Sequence, residues 1–459
     1  MRFSKVALRR RVKSDVRLRY EAEGLTSFAG LELLRQYFGK LGLAEQVRRC
    51  AGRWLPASDY GAVAMVLLML TLIICGGRRI RHVGYLGSDP LVLRSCGLQR
   101  LPSARTVGRW LSGFDRSALA GLAGLNETLT LSAIEAAGLA RLTLDVDGSV
   151  VSTGLKVEGA RRGFNPHRRK VPSYYPITAY EAQTGQVLAA MNRPGNVHDG
   201  KAAVGFVGDL IGRVRDALGH RPVLEFRMDG AFFRADVLAL LAGAGGVEYA
   251  IKVPFYQWLG LKALIATRRR WRRVDGTVSY LVHRLDIPEW GRRLWVVIYR
   301  KRIHHRSAKN FQLDLFEPDD GYYEYSAVAT NKSVSGRTLW AFTCARGIHE
   351  KVYGELKSGF AFDCVPSQRL AANSAWQWFS ILAFNLTRGF QRATTAPRRA
   401  PNRKRRSIWR FDSIHTLRYQ CLHRAGLLVR PGGRLTLDVG IAEAVKGRFM
   451  MIHHQLQVG

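Results

Sequence analysis

The sequence is short of acidic residues, short of cysteine and lacks a long unbroken apolar stretch, and each shortage narrows what the chain can be. Asp and Glu number only 35 of 459 residues, against 71 Lys and Arg, giving a net charge of +36 and a pI near 10.7. A globular chain with that imbalance needs a polyanionic partner, and nucleic acid is the usual one. The six cysteines (Cys50, Cys75, Cys96, Cys344, Cys364, Cys421) contain no CxxC pair and no regular spacing. That argues against a zinc module or a disulfide framework and for a reducing compartment. The longest apolar run, Gly61 to Cys75, ends before Arg78-Arg79 and falls short of the roughly 20 residues a membrane span needs, so it reads as a buried core helix. The basic start, MRFSKVALRRRVKSD, is followed by no apolar core and is not expected to be a secretory signal. No GxxxxGK[ST] phosphate loop occurs, which removes the commonest nucleotide-hydrolysing motif.

What remains is a chain with real cores: 47% of it is hydrophobic, and its length suggests about two to four units at roughly 100–200 residues each. Ribosomal and chromatin-packing proteins share the charge but are usually short. Residues 1–135 read as helical. Leu33, Leu34, Tyr37, Phe38 and Leu41 recur at helical intervals, and a second helix is expected at 58–75 with Ser58-Asp59 as its cap. Over 89–114 a short helix, a tight connection and a further helix follow. Ser103 would cap the second, which presents Arg105 and Arg109 four residues apart while Val107 and Leu111 pack. This suits a helix-turn-helix entering a major groove, and equally an ordinary helix pair with surface arginines.

The pattern switches to period two near residue 140. In RLTLDVDGSVVS, Asp145 and Asp147 project from one strand face, opposite Leu142, Leu144 and Val146. A hairpin with Thr184-Gly185 in its turn follows, then a helix from about Asp199, and a strand, VLEFRMDG, ending at Asp229. A helix at 234–243 and a strand at 248–253 close a unit over 136–254. Residues 255–336 read as a β-rich insertion of short aromatic strands among basic stretches, 337–393 as helical, and 394–459 as a basic linker and C-terminal region.

Asp147 (with Asp145), Asp229 and Glu350 can converge from strand ends and a flanking helix. Such an oxygen-rich site suits Mg²⁺ or Mn²⁺, and two ions can drive an in-line phosphoryl displacement. In RGIHEKVYGELKSGF, Ile348, Val352 and Leu356 should face the core. Arg346, Glu350, Gly354 and Lys357 then share the opposite stripe, which suits a metal ligand beside phosphate-binding cations, or a solvated face of ion pairs. Glu355 is expected to pair with nearby cations. Trp271, Trp290 and Trp295 are candidates for stacking on an unpaired base or for sheet packing. His304-His305 have no acidic companions, and Asn385 lies in a core helix.

The order DVDGS, RMDG, insertion, then a helix reading R-x3-E-x6-K resembles the DDE transposases of the IS4 superfamily, most specifically the IS1380 family. Arg346, Glu350 and Lys357 match the last-helix signature Tyr-x2-Arg-x3-Glu-x6-Lys, whereas Thr343 stands at the tyrosine position. The segments EGARRGFNPHRRKVPSYYPITAYEAQTGQ and RPGNVHDG carry the likeness between the two aspartates. The resemblance implies an α/β fold with an RNase H-like catalytic core and a β-rich insertion, preceded by an all-helical DNA-binding and dimerisation region. It implies Asp147, Asp229 and Glu350 as ligands of Mg²⁺ or Mn²⁺, with Asp145 the alternative to Asp147, and Arg346 and Lys357 gripping phosphates. Its implied partners are double-stranded DNA (terminal inverted repeats and target) and a second copy of the chain, with no membrane, in a bacterial cytoplasm at the nucleoid. Two other readings stay open: an RNase H-like nuclease that cuts without joining, and an inactive DNA-binding derivative.

Overall fold

Period-two stretches on either side of Asp229 come together as one large mixed sheet in the computed structural model, which describes residues 16–18, 20, 22–154, 156–163, 165, 168, 170–197, 200, 202–303, 323–400, 407–440 and 442–458. Before it lie β1 (Leu25–Thr26) and the helices α1 (Leu31–Lys40), α2 (Ala62–Ile74), α3 (Pro90–Cys96), α4 (Ala104–Ser112) and α5 (Arg116–Ala136). Local chemistry sets several of their starts. Asp89 accepts Leu91 N and Val92 N with Pro90 at the first helical position of α3, Ser103 accepts Thr106 N, and Asp115 accepts Ala118 N. Helix α2 departs from the sequence reading. It begins at Ala62 behind Gly61 (φ 77°), without a side-chain cap, while Ser58 Oγ closes a turn by accepting Tyr60 N. The apolar run is indeed a core helix, buried from Leu68 to Ile74. Among the described residues no helix is long and apolar enough to cross a membrane.

The region expected to be wholly helical also holds β1. It pairs with β13 (Gly426–Val429), which pairs in turn with β14 (Thr436–Val439). A β-branched Thr26, buried and hydrogen-bonded to Asp89, fixes that edge and ties the two ends of the chain together.

The main sheet comprises β2 (Arg141–Gly148), β5 (Ile177–Glu181), β6 (Gln186–Met191), β7 (Val223–Met228), β8 (Val247–Val253), β9 (Arg272–Arg273), β10 (Val278–Ile287), β11 (Arg292–Arg302) and β12 (Tyr323–Thr330), in the order β6-β5-β2-β7-β8-β12-β11-β10-β9. Strands β2, β7 and β8 run parallel, and the remaining pairs are antiparallel. Strands β9 to β12 extend the same sheet. Between β8 and β9 the chain also forms a short helix, Leu261–Thr267. The short strands β3 (Val151–Ser152) and β4 (Ser173–Tyr174) pair beside β2.

Both sheet faces are covered, as alternation requires. Ile177 and Ala179 enter a core shared with α6 (Ala203–Leu218) and α7 (Ala235–Gly243). Tyr180 and Ala182 enter another, shared with the N-terminal helices, α10 (Gly347–Phe360) and α11 (Leu370–Thr394). Two further helices, α8 (Leu261–Thr267) and α9 (Gly336–Cys344), and the terminal α12 (Glu443–Val458) complete the set used below. The hairpin turn at Gly185 (φ 76°) is tight: a β-carbon there would meet the Phe411 ring at 2.5 Å. Asp199 and His304-His305 lie outside the described residues.

Candidate active site

Strand parity puts Thr143, Asp145 and Asp147 on the sheet face that α9 and α10 cover, but the two aspartates have different surroundings. Asp145, in mid-strand, is fully buried and meets its register partner Arg227 in a two-pronged ion pair, Nε–Oδ1 2.5 Å and Nη2–Oδ2 2.7 Å. Arg227 spends a third donor on Phe342 O at 2.9 Å. Burial pushes the Asp145 carboxyl up to about 6, against the pull of Arg227. Such a carboxylate is a strut between strands.

Asp147, two residues on, is half-buried at the open end of β2. Val146 and Met228 are register partners on the parallel strands β2 and β7, so Asp147 and Asp229 follow them at the same sheet edge. Gly148 N donates to Asp147 Oδ1 and Ala231 N to Asp229 Oδ1, each at 3.0 Å, which orients both carboxylates.

Helix α10 lies along that edge by one stripe of side chains. Arg346 Nη1 donates to Asp147 Oδ2, Tyr353 Oη to Asp147 O, and Lys357 Nζ to Val150 O, each at 2.8 Å. Burial opposes the charge on Arg346, yet Asp147, then Asp229 and Asp145, together hold its proton more firmly than usual. Lys357 is shifted the other way by burial, with Asp363 partly compensating. Ile348 is half-buried, and Val352 and Leu356 are buried on the core side as the periodicity requires.

Glu350 falls one turn after Arg346 and about one turn before Tyr353, between two residues that touch Asp147. Its side chain is exposed and, among the described residues, joins no hydrogen bond or ion pair. The structure therefore gathers Asp147, Asp229 and Arg346, and leaves Glu350 beside them. No group of three or more His, Cys, Asp or Glu side chains close enough to hold a metal ion occurs among the described residues. In donor chemistry the two oriented carboxylates, all-oxygen donors, fit a hard divalent cation.

A polar network not foreseen in the sequence backs this edge. Thr178, the register partner of Asp147 on β5, donates to Tyr353 Oη at 2.7 Å and lies 3.1 Å from His349 Nε2. His349 is fully buried, stacked between Tyr180 and Tyr353. The signal was present: Tyr353 is seven residues from Arg346, hence on the same face.

The other candidates have different surroundings. Glu355 pairs with Arg388 at 2.5 Å and accepts Ile414 N. Asn385 is buried, bonding Asn126 and both backbone groups of Val187. Trp271 lies under Arg300, Trp290 packs on Phe233 and Trp258, and Trp295 stays 54% exposed. Arg105 and Arg109 are exposed on α4, as the cap and packing residues implied.

A family described as transposase DDE domain, group 1, matches residues 8–458. The chain belongs to the DDE transposase family. No curated protein matches it. Among solved structures, a piggyBac transposase synaptic complex with hairpin DNA is similar at 11% identity and a TM-score of 0.42, over 78% of this chain and 74% of that one.

Proposed function

We propose that this DDE transposase-family chain is a metal-dependent cut-and-paste transposase of the IS1380 kind. In this reading Asp147, Asp229 and Glu350 are the catalytic carboxylates of an RNase H-like core. The observation that carries it is the pair of oriented carboxylates on adjacent parallel strand ends, faced by the α10 stripe that bears Glu350. The order β6-β5-β2-β7-β8, antiparallel on one side of β2 and parallel on the other, supports the RNase H-like assignment. Asp147 is preferred over Asp145, which is committed to Arg227.

Asp147 and Asp229 would hold Mg²⁺ or Mn²⁺, with Glu350 completing the set once DNA is bound. Two ions would supply the charge that activates a water or 3′-OH and stabilises the leaving oxygen. Arg346 and Lys357 orient phosphates of the transposon end, and Arg105 and Arg109 contact its duplex. Hydrolysis frees a 3′-OH, whose attack on target DNA makes one phosphodiester as another breaks, so no nucleotide is consumed. Bringing two inverted-repeat ends together calls for two copies of the chain.

Incubating the protein with DNA carrying its element ends, with and without Mg²⁺, tests the reading. Asp229→Asn and Glu350→Gln should each abolish cleavage while end binding persists; normal cleavage by both would refute the assignment. A strand-transfer assay on pre-cleaved ends separates a transposase from a nuclease that only cuts.

A further inference from the structure

The loop between β3 and β4 begins a few residues past Asp147 and is strongly cationic. Lys156, Arg162, Arg168 and Lys170 are exposed on it. Its single carboxylate, Glu158, is already used: Oε2 accepts Leu370 N at 2.9 Å while Glu158 N donates to Gln368 O at 2.8 Å. Those two bonds dock the loop on residues 368–370. From there Arg369, also exposed, donates to Ser112 O at the end of α4 at 2.7 Å. An open cleft of about 490 Å³ separates α4 from this segment, with Arg109 on one wall, Arg369 on the other and no carboxylate in its lining. Arg78, just before the cleft residue Ile80, donates to Lys357 O in the last turn of α10 and to Asp363 just beyond that helix. Three chain segments thus form one cationic surface that starts at the catalytic edge.

We propose that this surface is a track for the phosphate backbone of duplex DNA leaving the active site, a proposal that rests on the transposase reading. Helix α4 is held in the body of the protein by buried Val107, Trp110 and Leu111 and by the bond from Trp110 Nε1 to Pro56 O. Arg109 therefore lines a cleft instead of tipping a projecting helix, which favours phosphate contact over base reading.

The test is binding of two unrelated duplexes without metal, read by fluorescence anisotropy from about 50 to 200 mM salt. Wild type is compared with Arg109→Ala, Arg162→Ala, Arg168→Ala and Arg369→Ala. Each substitution should flatten the slope of log affinity against log salt by about 0.9 for every phosphate no longer neutralised, equally on both sequences. Unchanged slopes in folded variants, or losses on one sequence only, would overturn the track. If Arg369→Ala loosens α4, the loop variants carry the test. Full-slope binding by a wild type that never cleaves would sink the transposase reading alone, and cleavage with slope-neutral variants would sink the track alone.

Discussion

On the proposed assignment Arg346 and a divalent cation compete for Asp147, so removing the guanidinium should tighten metal binding in the absence of DNA. The pair is 2.8 Å apart, with the Arg346 and Asp147 side chains 23% and 15% exposed. Two unit charges about 4 Å apart attract by about 4 kcal/mol at an effective dielectric of about 20. Desolvation and screening offset more than half of that, leaving about 1–2 kcal/mol that an incoming cation must displace. Each 1.4 kcal/mol is tenfold, so Arg346→Ala should bind Mn²⁺ about 5- to 30-fold more tightly than wild type. Free Mn²⁺ measured by electron paramagnetic resonance during titration of DNA-free protein reads this directly, with Asp229→Asn as the control that loses binding. The same variant should cleave DNA more slowly, because its grip on the phosphate is gone. A misfolded variant would lose both activities, whereas the competition moves them in opposite directions. Mn²⁺ affinity equal to or below wild type in folded Arg346→Ala would refute the argument.

Tyr353→Phe keeps the ring stack on His349 and removes only the hydroxyl that joins Thr178 to Asp147 O. It should cost about 0.5–1.5 kcal/mol of stability and lower kcat for cleavage while the Kd for transposon ends holds; an unchanged kcat would make the tyrosine a packing residue only. Asp145→Asn strands Arg227 without its counter-charge in the core and should lose about 3–5 kcal/mol in urea denaturation. Adding Arg227→Met should recover part of that loss, and a single variant as stable as wild type would contradict the strut role.

The strands at 141–148, 223–228 and 247–253 were legible because period two over such lengths admits little else. Helix α10 was legible for the same kind of reason, as was the shared face of Arg346, Glu350 and Lys357. The different fates of Asp145 and Asp147 were not. They share a strand face, and what separates them is a partner on another strand, Arg227, 82 residues further on. Likewise nothing local to β10, β11 and β12 says that they continue the sheet from β8. The β8–β12 pairing joins Val253 to Ala327 across a long excursion, and only the folded edge reveals it. Tyr353 was hidden in a different way: its position was readable, but its task depends on Thr178 in a hairpin on the far side of β2.

The placement of the third carboxylate follows from how α10 is held. Its last carbonyls are bound from two sides: Arg78 donates to Lys357 O and Ser358 O, and Arg418 to Gly359 O. Two guanidinium groups at a helix C-terminus satisfy orphan acceptors and oppose the negative end of the macrodipole. The other end is different. Arg346 stands at the N-cap, and no side chain caps the first amides. Glu350 stands in that first turn, where a carboxylate is favoured by the positive end of the helix. The helix is thus anchored at its C-terminal end by Arg78 and Arg418, along its middle by Tyr353, and at its N-terminal end through Arg346. On the proposed function, a change in what Arg346 binds, from Asp147 to a DNA phosphate, would act on the turn that carries Glu350 while the anchored C-terminal end stays fixed. This arrangement would let DNA arrival and closure of the carboxylate set occur as one event.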